Sequence, residues 1–342
     1  MMRSAASRFV LGLVSAAVLS SAVPALASET VTIGYQLIYN PWKVAIANQA
    51  FEKATGREIR WRKFDSGSKM FAAMASGDVD IGLSGSSGIA AAFSRGIDAQ
   101  LFWVMEDIGS AEALVVRDGA GIESFADLAG KKLGVPFAST THYHALFALE
   151  HHGIDPATVE ILNLQPNQIA AAWLRRQIDA AFVWDPALGR IQQTGKVLIT
   201  SGELSRLGRA TFDGLAVRRP FAESETAFMR AFVETIAAAD DDYRRNTAAW
   251  TPDSAPVKAI VGLVGGKVED VPRVLGLYHF PTLAEQASGT WLGGGQASGA
   301  AKALRDTAKF LMEQKKIPAL AADYSRFVTS EYVEAVLRAQ AE

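Results

Sequence analysis

The stretch Val79-Asp80-Ile81-Gly82-Leu83-Ser84-Gly85-Ser86-Ser87-Gly88-Ile89-Ala90-Ala91-Ala92-Phe93 decides the reading of this chain. It reads as a short strand, a turn of small residues over Gly82 to Gly88, and the start of a helix. Glycines let the backbone approach a ligand closely. Serines ahead of an apolar run serve as helix caps. The first amides of a helix have no intrahelical partner, so together they offer a site for an anion. The same design recurs at Gly134-Val135-Pro136-Phe137-Ala138-Ser139-Thr140-Thr141-His142, followed by Tyr143-His144-Ala145-Leu146. Two hydroxyl-rich helix starts point to a cleft that holds a small anion. Two ordinary capped helices would give the same pattern.

Working outward, Val31 to Gln36 alternates as a strand. Gln36 falls at its C-terminal end, where open α/β sheets hold ligands. A helix is expected from Asn40-Pro41-Trp42-Lys43 to about Ala54, then a strand over Ile59 to Phe64 and a helix over Lys69 to Ala75. Gln100 to Met105 is an apolar strand that ends in Glu106-Asp107. Further strands are expected at 112–117, 131–135, 159–162, 180–184, 197–199 and 213–218, with helices between several of them. Beyond Glu223 the pattern is mostly helical. Alternation of this kind gives an α/β fold with parallel strands and crossover helices. The expected division is a signal segment (1–27), a first lobe begun by 28–110 and completed by 212–342, and a second lobe inserted over 111–211. A ligand between the lobes would be buried by hinge closure.

The first residues read as an export signal. Arg3 and Arg8 precede an apolar run from Phe9 to Leu19, and Ala25-Leu26-Ala27 is a cleavage pattern, so the mature chain is expected to begin at Ser28. The apolar run is too short for a membrane span. The formal charge is −2 and there is no basic block, which argues against nucleic acid as a partner. The chain has no cysteine, which excludes disulfides and thiolate chemistry. Ser84-Gly85-Ser86-Ser87-Gly88 does not fit the G-x-S-x-G elbow of a hydrolase. A metal site at His142 and His144 is also disfavoured, because residues two apart on a helix point away from each other. No phosphate-binding G-x-x-x-x-G-K-[ST] motif is present.

Several segments carry a resemblance to a known family: Trp61-Arg62-Lys63-Phe64-Asp65-Ser66-Gly67, Ala75-Ser76-Gly77-Asp78-Val79-Asp80-Ile81-Gly82, Gly85-Ser86-Ser87, and Val135 to Tyr143. Asn163-Leu164-Gln165-Pro166, Ile169 to Trp173 and Val183-Trp184-Asp185-Pro186 add to it. Over essentially the whole mature chain the sequence is similar to the nitrate, sulfonate and taurine solute-binding proteins of ABC importers. The resemblance implies a type II periplasmic-binding-protein fold, two α/β lobes joined by two hinge strands. It implies a monomeric periplasmic carrier that binds taurine and delivers it to a membrane permease, with neither cofactor nor catalysis. It places Ser86 and Ser87 in one anion turn, Thr140 and Thr141 in the other, Asp213 at the ligand's ammonium, and Gln36 at the end of the first strand. Other aliphatic sulfonates or nitrate are the next reading, and a secreted hydrolase a distant one.

The chemistry of the ligand adds candidates. A sulfonate is satisfied by amides and hydroxyls, whereas an ammonium in a closed cleft needs a carboxylate. Glu106 and Asp185 are further acids at strand ends. Trp184, next to Asp185, is the first choice for an aromatic wall.

Overall fold

The computed structural model describes residues 30–342. The expected signal segment, residues 1–27, lies outside the described residues. The chain opens with β1 (Val31–Gln36), α1 (Trp42–Ala47), α2 (Ala50–Thr55), β2 (Ile59–Phe64), α3 (Gly67–Ala75), β3 (Ile81–Gly85), α4 (Ser86–Ser94) and β4 (Ala99–Asp107). It continues through β5 (Glu112–Arg117), β6 (Lys132–Val135), α5 (Thr140–His151), β7 (Glu160–Asn163), α6 (Pro166–Leu174), β8 (Ala180–Trp184), α7 (Ala187–Ile191), β9 (Gly195–Thr200) and α8 (Ser201–Arg206). It ends with β10 (Phe212–Arg218), α9 (Arg219–Ser224), α10 (Thr226–Asn246), α11 (Ala255–Val264), α12 (Asp270–Leu275), α13 (Leu283–Ala287), α14 (Gly299–Glu313) and α15 (Glu331–Ala341).

The strands form two five-stranded sheets, in the orders β2-β1-β3-β10-β4 and β7-β6-β8-β5-β9. In the first, β1 runs parallel to β2 and β3, while β10 is antiparallel to both β3 and β4. In the second, β6 runs parallel to β7 and β8, while β5 is antiparallel to β8 and β9. The central strands are covered on both faces. That is why Leu101 to Met105 and Ala180 to Val183 are unbroken apolar runs rather than alternating ones. The chain crosses between sheets twice, at residues 108–111 and 207–211. The helical segments after β10 pack largely on the first sheet, α14 against α4 and α15 against α10. Among the described residues no helix is long and apolar enough to cross a membrane.

Two expectations are corrected. The helix from Trp42 toward Ala54 is broken, because Gln49 adopts the left-handed conformation (φ 54°). In a straight helix Trp42 and Phe51, nine residues apart, would lie about half a turn apart. The break brings both rings onto one cluster, with centroids 6.2 Å from each other and each within 6 Å of Trp61. The second correction concerns Gly82 to Gly85, which continue β3 and do not form a turn; the helix begins directly at Ser86. Gly82 is required by packing, since a Cβ there would stand 2.0 Å from Met70 Sδ on α3.

Candidate functional site

Strand ends and helix starts of the two sheets face each other across a narrow cavity. The first sheet and its helices supply Gln36 and Ile38 from the end of β1, Gly67 from α3, Ser84 and Gly85 from β3, and Asp213 from β10. The second supplies Glu112 from β5, Ala138, Ser139 and Thr140 from the start of α5, and Trp184 from the end of β8. Ile108 on the crossing segment and Tyr278 after α12 complete the wall.

The anion-binding features sit at the starts of α4 and α5. Gly85 immediately precedes α4 in an extended conformation. A Cβ on it would lie 2.8 Å from Thr140 Cγ2 and 3.2 Å from Asp213 Oδ1, so the two helix starts meet only because this residue is glycine. Ser86 and Ser87 occupy the first turn of α4 and are fully buried. Ser86 Oγ accepts from the Phe212 amide at 3.4 Å, and Ser87 Oγ has no hydrogen-bond partner. Neither residue lines the cavity. Across the gap, Ser139 caps α5, its Oγ accepting from the His142 amide at 3.1 Å. Its own proton goes to Pro136 O at 2.6 Å, and Thr141 Oγ1 stands 2.8 Å away. Ala138 holds a left-handed φ of 58°, which turns its amide to His142 Nδ1 at 3.3 Å. That bond makes Nδ1 an acceptor, and burial pushes His142 down to about 4, so its ring is neutral. Gln36 Nε2 donates to Leu83 O at 3.1 Å.

Acids stand beside these helix starts. Asp213 and Glu106 are register partners on β10 and β4, and their carboxyls share a hydrogen bond. Burial and the neighbouring Asp213 raise Glu106 well above the usual range. Burial likewise raises Asp213, to about 6, against the opposing pull of that hydrogen bond and of Lys43. Asn40 Nδ2 donates to both Glu106 oxygens at 3.3 and 3.4 Å. Lys43, completely buried, donates to Asn40 Oδ1 at 3.0 Å and stands 4.8 Å from the Trp42 ring and 5.3 Å from the Tyr35 ring. Desolvation lowers its pKa to about 7, against the pull of Glu106 and Asp213. Glu112 is the third acid, reached by the Thr140 hydroxyl at 2.5 Å and the Ser201 hydroxyl at 3.0 Å. Burial and the field of these carboxyls push the Tyr278 phenol up, so it stays protonated beside them.

Of the nine expected ligand residues, Gln36, Thr140, Trp184 and Asp213 line the cavity. Ser86, Ser87, Thr141 and Glu106 are completely buried and do not line it. Asp185 is the exception. Trp184 ends β8 and lines the cavity, whereas Asp185, just past the strand, binds the Gly189 amide at 3.0 Å and faces the Arg273 guanidinium at 3.7 Å. Glu112, Tyr278, Ser139 and Lys43 were not among the expected residues. An acid opening the otherwise apolar strand Glu112-Ala113-Leu114-Val115-Val116 was a usable signal, whereas Tyr278 lies in the helical tail with no motif around it. Among the described residues no group of acids and histidines is arranged to hold a metal ion.

The chain is similar to several known proteins. The chain is 41% identical over 305 residues to the taurine-binding periplasmic protein of Escherichia coli K12, covering 89% of this chain and 92% of the relative. It is 28% identical over 240 residues to a putative aliphatic sulfonates-binding protein of the same organism, covering 68% and 74%. The solved structure of the periplasmic aliphatic sulphonate binding protein SsuA from E. coli superimposes with a TM-score of 0.70 at 22% identity, covering 90% and 99%. That likeness shows the type II periplasmic-binding-protein fold. Residues 25–251 match the NMT1-like family, and with the relative at 41% identity they place the chain: it belongs to the NMT1-like family.

Proposed function

We propose that this protein is the periplasmic solute-binding component of an ABC importer and that its ligand is taurine. The observation that carries the reading is a cavity lined by both kinds of group a zwitterion needs: the starts of α4 and α5 beside Gly85 and Thr140, and the buried carboxyls of Asp213 and Glu112. The sulfonate would lie on the amides at the starts of α4 and α5, within the segments that carry Ser86, Ser87, Thr140 and Thr141. The ammonium would meet Asp213, with Gln36 and Trp184 along the stem. Among the described residues the one hydroxyl held by a histidine, Ser201 on His144, is completely buried and does not line the cavity, and the chain has no thiol. It acts by binding. The lobes, 28–110 with 212–342 and 111–211, would close over the ligand, and the closed form of the monomer would dock on a membrane permease.

Other aliphatic sulfonates are the second reading, favoured by the relative at 28% identity. Calorimetric titration with taurine, a longer alkanesulfonate, nitrate and sulfate separates the two. Tightest binding of the zwitterion is the expected result. Preference for a plain alkanesulfonate selects the second reading, and binding of none of them overturns both.

A further inference from the structure

A chain of buried polar groups leads from the cavity into the second lobe. Thr140 Oγ1 lies 2.5 Å from Glu112 Oε1, and Glu112 Oε2 lies 3.0 Å from Ser201 Oγ. Ser201 Oγ in turn lies 2.8 Å from His144 Nδ1, and His144 Nε2 lies 2.7 Å from the Arg209 carbonyl oxygen. All four side chains are buried. Each contact is a hydrogen bond, and each bond needs its own proton. The two hydroxyls and a neutral imidazole bring only three protons to the four bonds. The carbonyl can only accept, so His144 Nε2 carries the imidazole proton. Nδ1 must then accept from Ser201, unless the ring is charged. A fourth proton is therefore held either on Glu112 or on His144. Burial pushes Glu112 up to about 8, with Asp213 adding to the rise, and burial pushes His144 down to about 4. The proton belongs to Glu112.

From this we infer that Glu112 is a second recognition group for the ligand's ammonium, carrying a proton in the empty site and giving it up when the cation arrives. The inference rests on the taurine reading. Glu112 lines the same cavity as Asp213. The groups around it are Thr140 and His144 on α5, Ser201 on α8, Asp213 on β10, its register partner Trp184 on β8, and the Tyr278 phenol. None of these brings a positive charge. Lys43, the buried cation, lies on the far side, beside Glu106 and Asp213. In the bound state the ammonium supplies the missing charge and new N–H donors, so Ser201 can give its proton to His144 while Glu112 is ionised. The balance is Glu112–COOH plus a bound –NH3+ going to Glu112–COO− paired with –NH3+, with one proton released to buffer. A plain alkanesulfonate leaves the acid neutral and releases nothing. The site therefore tells zwitterions from simple anions by ionising on demand.

The test is calorimetry of the mature protein near neutral pH, in buffers of low and high ionisation enthalpy, with taurine and with ethanesulfonate. Taurine should release about one proton per molecule bound, read as the slope of observed enthalpy against buffer enthalpy. Ethanesulfonate should show no slope, and in Glu112→Gln the taurine slope should vanish while binding persists, weakened. The affinity of the unmodified protein for taurine should also rise with pH, while that for ethanesulfonate does not, a check that needs no variant. Tight taurine binding with no buffer dependence overturns this inference alone. A slope that survives Glu112→Gln assigns the proton to the Glu106–Asp213 pair and also overturns it. Failure of taurine to bind in any buffer removes the taurine reading and this inference together.

Discussion

Replacing Asp213 by Asn removes the acid that the proposed site sets against the ammonium. Asp213 is only 6% exposed. Breaking a buried charge pair of this kind costs on the order of 2–5 kcal/mol. The structure argues for the lower part of that range. Glu106 shares a hydrogen bond with Asp213 and is kept protonated partly by its charge. With Asn at 213 that repulsion disappears, Lys43 and Asn40 still face Glu106, and Glu106 can ionise in its place. The expected loss is about 2–3 kcal/mol, or about 30- to 150-fold in taurine affinity. The further change Glu106→Gln should deepen it. Ethanesulfonate, which has no ammonium, should bind the variant at least as well as the parent, and the empty variant should melt no lower, since an unfavourably buried acid has gone. Titration calorimetry with both ligands and a thermal melt of the empty protein give all three results. Unchanged taurine affinity, or an equal loss for both ligands, would refute the assignment of Asp213 to the ammonium.

Three further outcomes are expected. Lys43→Met removes the buried cation beside Glu106 and Asp213. Both acids then hold their protons to higher pH, so taurine binding should weaken at neutral pH and recover as pH rises; a parallel loss at every pH would contradict this. Gly85→Ala places a methyl against Thr140 and Asp213, so it should lower taurine affinity with little effect on the melting of the empty protein. Asp240, fully buried on α10 with neither oxygen hydrogen-bonded, is held well above its ordinary range by burial. Its folded-state pKa exceeds the unfolded one, so stability is lost as pH rises from the unfolded value through the folded one. Asp240→Asn should therefore stabilise the protein by about 1–3 kcal/mol at neutral pH and by less near pH 4, as measured by urea unfolding.

The strands were legible because their signal is local. Val31 to Gln36, Ile59 to Phe64 and Ala180 to Trp184 are bounded by turn residues and match the observed elements closely. The break at Gln49 was not legible, because it is set by where Phe51 must go, against Trp61 and Phe232 from distant parts of the chain. Gly82 and Gly85 were read as turn residues, yet their smallness serves contacts with Met70 and Thr140. The same limit governs the site. Thr140, Asp213 and Trp184 sit at element ends, which pattern marks. Lys43 reads as a solvated helix charge until Trp42, Tyr35 and Asn40 are seen to enclose it. Asp185 and Trp184 are neighbours in sequence, but only Trp184 lines the cavity, while Asp185 is taken up by the Gly189 amide at the start of α7.

The strand order of the first sheet constrains how the chain can assemble. β10 lies between β3 and β4, yet it is made only after every strand of the other sheet. The second sheet draws on one continuous run of chain and can close on itself. Until residue 218 emerges, the first sheet has a gap between β3 and β4, with two apolar edges waiting for a single late strand. A truncated or slowly delivered chain would leave those edges open to pairing with other chains. The order of emergence thus favours keeping the newly made polypeptide loose until it has been delivered whole, and it makes one late strand the arbiter of whether the first part of the chain ever folds.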